Sequence, residues 1–130
     1  MNTNPKIVVL LVEDDISRLD YYANTITRNS PRAEILKAST LEEAKQHFAH
    51  HFRGVKPISI IVMDGCMNKK SEPDTLPLIT EIRNTGFTGP MIAASGSESI
   101  KERMMAAGCN HSVEHKGLVP MKVLDLLAGM

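Results

Sequence analysis

Four places in this sequence carry side chains that could do chemistry together: the acidic run Glu13, Asp14 and Asp15, then Asp64, then Ser95 with Gly96, and finally Lys116. The first three each follow an apolar run, "IVVLLV", "ISIIVM" and "MIAA", and Lys116 follows the short stretch "SVEH". Three carboxylates brought together repel one another unless a hard cation neutralises them, and an oxygen-rich site with room for water suits Mg²⁺, with Mn²⁺ as a substitute. A lysine and a hydroxyl on the far side would bind a phosphoryl group. Such a set allows in-line phosphoryl transfer onto a carboxylate that is already ionised at neutral pH. Asp64 is the natural acceptor.

For these residues to meet, the chain must bring the ends of its apolar runs to one place. Strand-like and helix-like segments alternate along it, which predicts a parallel sheet with crossover helices. The first strand is Lys6 to Val12, a continuous apolar run of the kind expected when both faces are covered. A helix follows from about Ser17 to Arg28, with Leu19, Tyr22, Ala23 and Ile26 at helical spacing. Ala33 to Ala38 is the second strand. Thr40 and Glu43 form a capping box in front of the stripe Leu41, Ala44 and Phe48. The third strand is Ile58 to Met63, and its helix starts near Asp74 or Thr75, with Pro77 in the first turn, Leu78, Ile79 and Ile82 inward and Gly86 closing it.

Met91 to Ala94 is the fourth strand. "SIKE", from Ser99 to Glu102, reads as a second capping box opening a helix with Ile100, Met104 and Ala107 inward and Gly108 at its end. Ser112 to His115 is predicted as a short fifth strand, and the last helix begins near Pro120 and buries Val123, Leu124 and Leu127. The reading is α/β, a doubly wound (βα)₅ parallel sheet of five strands in one domain spanning residues 1–130. Right-handed crossovers put every strand's carboxyl end on one edge, where ligands bind. The acids, the hydroxyl and the amine all fall at that edge.

These pieces together resemble the receiver domains of bacterial two-component response regulators. "LLVEDD" ends the first strand; "IIVMDGCM" ends the third, with a methionine three residues after the aspartate; "IAASGS" ends the fourth; and "AAGCN" precedes the fifth. The resemblance implies a flavodoxin-like sheet in the order 2-1-3-4-5. It implies a phosphoprotein that takes a phosphoryl group from a histidine kinase or phosphotransfer protein as an aspartyl phosphate on Asp64, and that passes the signal through altered protein contacts. On this pattern Asp14 is a direct metal ligand, Glu13 acts through water, Asp64 binds the metal as well as the phosphoryl group, and the backbone carbonyl of Cys66 supplies a further oxygen. Ser95 is the switch hydroxyl and Lys116 the phosphate-facing lysine. The protein is then a phosphoacceptor in a phosphorelay and not a turnover enzyme. Helix four, strand five and helix five could pair two copies as a homodimer.

Some positions depart from that pattern. The lysine is followed by Gly117 where the family has proline, and counting from Gly108 puts the lysine position on His115, so Lys116 fits with one inserted residue. Ser112 stands where an aromatic usually rotates with the switch. The loop after Asp64 has Asn68 in place of proline and is about three residues longer than usual, which puts Lys69 and Lys70 where they could contact a partner or a phosphate. These departures motivate an alternative, a receiver-like pseudo-receiver module that binds partners without phosphorylation.

Composition bounds the rest. In 130 residues, Lys plus Arg equals Asp plus Glu at 15 each, so nothing in the overall charge points to nucleic acid or an acidic membrane. The amino-terminal apolar run is too short for a signal peptide or a membrane span, and a cytoplasmic location is expected. Cys66 and Cys109 lie far apart and read as free thiols. His47, His50 and His51 mimic ligand spacing but read as a solvated helix end, and Met104 and Met105 include at least one core residue. A haloacid-dehalogenase-type phosphatase would want an aspartate where Cys66 stands, and a flavin phosphate would be repelled by "EDD". No output domain fits beside this one in 130 residues, so a stand-alone protein and a piece of a larger regulator or hybrid kinase both remain open.

Overall fold

The computed structural model describes residues 6–52, 54–68 and 72–130. Its elements are β1 (Ile7–Val12), α1 (Ile16–Asn29), β2 (Ala33–Ala38), α2 (Leu41–His51), β3 (Ile58–Asp64), α3 (Leu76–Asn84), β4 (Met91–Ala94), α4 (Glu98–Ala107), β5 (His111–Ser112) and α5 (Val119–Ala128). A 3₁₀ turn, Lys116–Leu118, leads into α5. The five strands form one parallel sheet in the order β2-β1-β3-β4-β5. No helix among the described residues is long and apolar enough to cross a membrane.

Alternation along the strands sorts the core into two layers. Val9, Leu11, Ile60 and Val62 pack with Leu19, Tyr22 and Ile26 of α1 and with Val119, Val123 and Leu127 of α5. On the other face Val8, Leu10, Ile61 and Met63 pack with Phe48 of α2, Ile79 and Ile82 of α3 and Met104 of α4. The register between β1 and β3 shifts after Val8, where Val8 pairs with Ile58 and Val9 with Ile60. The extra residue, Ser59, is a bulge that flips the alternation, which is why Ile58 and Ile61 share a face three residues apart. Beyond the bulge, the period that sends Ile60 and Val62 toward α1 and α5 brings Asp64 to that side, and the period of Val9 and Leu11 does the same for Glu13.

Several boundaries differ from the sequence reading. The fifth strand is His111–Ser112, not Ser112 to His115, because only Ile92 and Ala93 of the short β4 offer it partners. The chain then leaves the sheet, with Val113 buried, and turns through 3₁₀ geometry at Lys116. Helix α4 begins earlier than the "SIKE" box: Ser97 is the cap, accepting from the Ile100 N–H, and Ser99 lies within the first turn. Its buried positions are Lys101 and Met104, while Ile100 and Ala107 are partly buried against the core. Lys101 reaches out to Glu98 at 2.9 Å, so its ammonium is paired although its stem is covered. The capping box of α2 forms with one shift: Thr40 accepts from the Glu43 N–H, and Glu43 reaches back to Ser39. Lys69 and Lys70, expected to meet a partner or a phosphate, lie outside the described residues.

Candidate functional site

The site sits where the sheet order reverses, at the carboxyl ends of β1 and β3. Asp64 is the last residue of β3, 3 % exposed, and Glu13 follows β1 at 1 %. Asp14 stands beside them, half-buried, and one ligand oxygen from each of the three carboxylates lies within 4.8 Å of the others. Asp15 turns away: its side chain caps α1 by accepting from the Arg18 N–H, the helix-capping role open to an acid at that position. Its own N–H donates to Glu13 Oε2 at 3.1 Å and holds that carboxylate in place.

Lys116 closes the far side. Its Nζ lies 2.9 Å from Asp64 Oδ1 and 3.2 Å from Glu13 Oε1. Of the two neighbours it is Lys116 whose ammonium reaches the carboxylates, and His115 is exposed. The stretch between β5 and the 3₁₀ turn is irregular, and the Tyr22 hydroxyl donates to the Lys116 carbonyl at 2.9 Å. The sequence places Tyr22 on the inward face of α1 but does not assign it to the site. The signal is present in its type, because a buried tyrosine needs a partner for its hydroxyl.

Burial in company sets the protonation pattern. Burial, with the neighbouring Asp64 charge, pushes the Glu13 carboxyl up to about 7. Burial also raises Asp64, although the hydrogen bond and charge of Lys116 pull against it. For Asp14 burial is the largest single effect and also points up, but the hydrogen bonds with Glu13 and Asp64 together outweigh it and hold the carboxyl below the usual aspartate value. Burial would lower the Lys116 ammonium, yet its contacts with Asp64 and Glu13 prevail and raise it. There are too many carboxylates here for one ammonium.

That surplus is a test of whether a cation fits. Among the described residues Asp64 Oδ2 is buried without a hydrogen-bond partner, an acceptor that costs free energy unless something fills its lone pairs. Three clustered carboxylates with an orphaned oxygen are the donor set a hard divalent cation takes. Cys66 lies directly after the site with its N–H 3.5 Å from Asp64 Oδ1. Its thiol, half-buried, is pushed up by burial and by the Asp64 charge, so it stays protonated. Cys109 is buried, its thiol raised to about 12 by burial.

The loop after Asp64 is pinned at both ends of its described part. Asp74 accepts from the Met67 N–H at 2.7 Å and donates its own N–H to the Gly65 carbonyl at 3.2 Å. The buried Thr75 hydroxyl donates to the same carbonyl at 3.1 Å instead of capping α3. Gly65 has no room for a side chain: a Cβ there would lie 2.7 Å from Ile100 Cγ2 and 3.6 Å from Ser95 Cβ. Ser95 is therefore next to the Asp64 turn, 6 % exposed, and its hydroxyl accepts the Ser97 N–H at 3.1 Å. Gly96 is exposed.

No protein-family model matches the chain, and no curated protein matches it. Solved structures do. It is similar to the Vibrio cholerae chemotaxis protein CheY4, at 20 % identity and a TM-score of 0.72 over 95 % of this chain and 98 % of that one. It is similar at 21 % identity and TM-score 0.72 to a chain of the CheX–CheY–BeF₃–Mg²⁺ complex from Borrelia burgdorferi, over 96 % and 92 % of the two chains. The signal receiver domain of a DNA-binding response regulator from Colwellia psychrerythraea matches at 17 % identity, TM-score 0.71, over 95 % and 99 %. At these identities the likeness shows the fold, which is that of response-regulator receiver domains.

Proposed function

We propose that the protein is a receiver that accepts a phosphoryl group on Asp64 in a divalent-cation-dependent reaction and signals by changing its protein contacts. The observation that carries the reading is the ammonium of Lys116 seated 2.9 Å from Asp64 inside a cluster of three carboxylates. A structural salt bridge would need one acid, and here a surplus of carboxylates remains that a bound cation would offset. Glu13, Asp14 and Asp64 would hold Mg²⁺ or Mn²⁺, with the Cys66 carbonyl as a further oxygen. When bound, such an ion offsets charge on the carboxylates and on phosphoryl oxygens.

In the reaction an Asp64 carboxylate oxygen forms the bond to phosphorus as the bond to the donor's histidine nitrogen breaks. The electron pair of that bond returns to the imidazole, which takes a proton from solvent. Lys116 exchanges its contact with Asp64 for one with the phosphoryl oxygens. No group in this scheme turns over on a small substrate, so the protein acts as an acceptor and not as an enzyme. The donor is a histidine kinase or phosphotransfer protein, and the signal passes on to another protein.

Ser95 links the site to α4. Turning its hydroxyl toward a phosphoryl oxygen draws it away from the Ser97 N–H, and Ser97 is the residue that caps α4. A change at Asp64 would thus reach the start of a helix, and a switch needs that start to have two arrangements. One observation favours the second reading, a receiver-shaped module that works without phosphorylation: β5 carries His111 and the exposed Ser112 and no tyrosine or phenylalanine. Incubation with acetyl phosphate and Mg²⁺ decides between them, with one added phosphoryl group on the wild type and none on Asp64→Asn under the first reading.

A further inference from the structure

Arg18 stands in the first turn of α1, beside a shallow groove that it lines together with Tyr21, Tyr22, His115, Lys116 and Gly117. Its backbone N–H is held by the Asp15 cap. Its guanidinium reaches toward the site, with Nη1 4.0 Å from Glu13 Oε2 and 3.9 Å from Asp15 Oδ2. Those are ion-pair distances beyond hydrogen-bond reach, and among the described residues the guanidinium makes no hydrogen bond. The side chain is 41 % exposed. It is anchored at its root and loosely held at its head.

Charge balance gives that head a task. Three carboxylates against one ammonium and one divalent cation come to zero, and transfer of a phosphoryl group (PO₃⁻) onto Asp64 leaves one negative charge uncompensated. Asp15, which caps the amino end of α1, is itself negative and does nothing to offset that charge. A planar guanidinium with uncommitted donors is suited to phosphoryl oxygens, which it can take in pairs. We infer that Arg18 is a phosphoryl-binding residue, which rests on Glu13 in the unphosphorylated protein and moves to the incoming phosphoryl oxygens opposite Lys116. The inference rests on Asp64 being the phosphoacceptor.

The two charges that Arg18 serves give the experiment opposite signs. Arg18→Ala removes a cation from beside the carboxylates, so Mg²⁺ alone, titrated by calorimetry, should bind about two- to fivefold more tightly, the range for one half-exposed charge. The same variant should need about two- to fivefold more acetyl phosphate for half-maximal phosphorylation at saturating Mg²⁺. Arg18→Lys should restore the Mg²⁺ affinity fully and the donor dependence in part. A variant that leaves both quantities unchanged, or moves both in the same direction, overturns the role of Arg18 while phosphorylation of the wild type stands. A wild type that takes no phosphoryl group, or takes it equally after Asp64→Asn, overturns the underlying reading and this one with it.

Discussion

The buried hydroxyl of Tyr22 donates to the backbone carbonyl of Lys116 at 2.9 Å, tying the middle of α1 to the turn that carries the site lysine. The two residues are 94 apart in the chain, and the bond fixes a stretch that carries one more residue than the resemblance would allow. Tyr22→Phe keeps the ring in the core and removes only the hydroxyl. It should cost about 1 kcal/mol of stability in denaturant unfolding. Phosphorylation by acetyl phosphate should slow several-fold while Mg²⁺ affinity is unchanged, because Tyr22 positions the lysine and does not touch the carboxylates. Unchanged phosphorylation would mean that Lys116 is held by its ion pairs alone.

Two neighbours, His115 and Lys116, make a sharp contrast. Lys116→Ala should lower the rate of phosphorylation about a hundredfold, the usual effect of removing one preorganised charge from a phosphoryl-transfer site. His115→Ala should stay near the wild type, since that side chain is exposed. Initial rates from intact mass measure both. The reverse ranking would return the lysine role to the position counted from Gly108.

Protonation of the site gives a pH signature. In the folded chain Glu13 is raised from 4.5 to about 7, and Asp64 is raised too, so across that window the folded state holds more protons than the unfolded state. Stability of the metal-free protein therefore falls as pH rises through the window. Asp14, shifted down from 3.8, contributes only in more acid solution. Thermal denaturation with a chelator should show a melting temperature that declines from about pH 4.5 to 7. Mg²⁺ should raise it more at pH 8 than at pH 5.5. A metal-free melting temperature that rises across the window would contradict the crowding of carboxylates.

Close packing beneath the site sets a stability test. Gly65→Ala places a Cβ 2.7 Å from the branched Ile100 Cγ2, which cannot swing aside without moving α4. The variant should lose about 1–3 kcal/mol. Gly65→Ala combined with Ile100→Ala should recover part of it, as a double-mutant cycle would show.

Much of the architecture is legible in the residues themselves. The continuous apolar runs and the helical stripes locate β1, β3, β4, α1, α2 and α3, because each is buried on the face its period predicts. Glu13, Asp14, Asp64, Ser95 and Lys116 can be singled out since each follows, or nearly follows, a strand. The hidden part is tertiary. The bounds of β5 depend on how much of β4 is available to pair with it, and "SVEH" alternates as a strand does whether or not a partner exists. "SIKE" is as good a capping box in sequence as the true start, where Ser97 accepts from the Ile100 N–H. Tyr22 and Arg18 lie far in sequence from the lysine they serve or face, so no local pattern could join them to it.

Whether Asp64 accepts a phosphoryl group in a cation-dependent step decides the functional reading as a whole. The measurement is intact-mass analysis after incubation with acetyl phosphate, with Mg²⁺ or with chelator, on the wild type and on Asp64→Asn. One added phosphoryl group is expected on the wild type with Mg²⁺ and none in the other three samples. An unmodified wild type at every time point, in protein that also fails to bind Mg²⁺, would contradict the phosphoacceptor role and leave a receiver-shaped binding module.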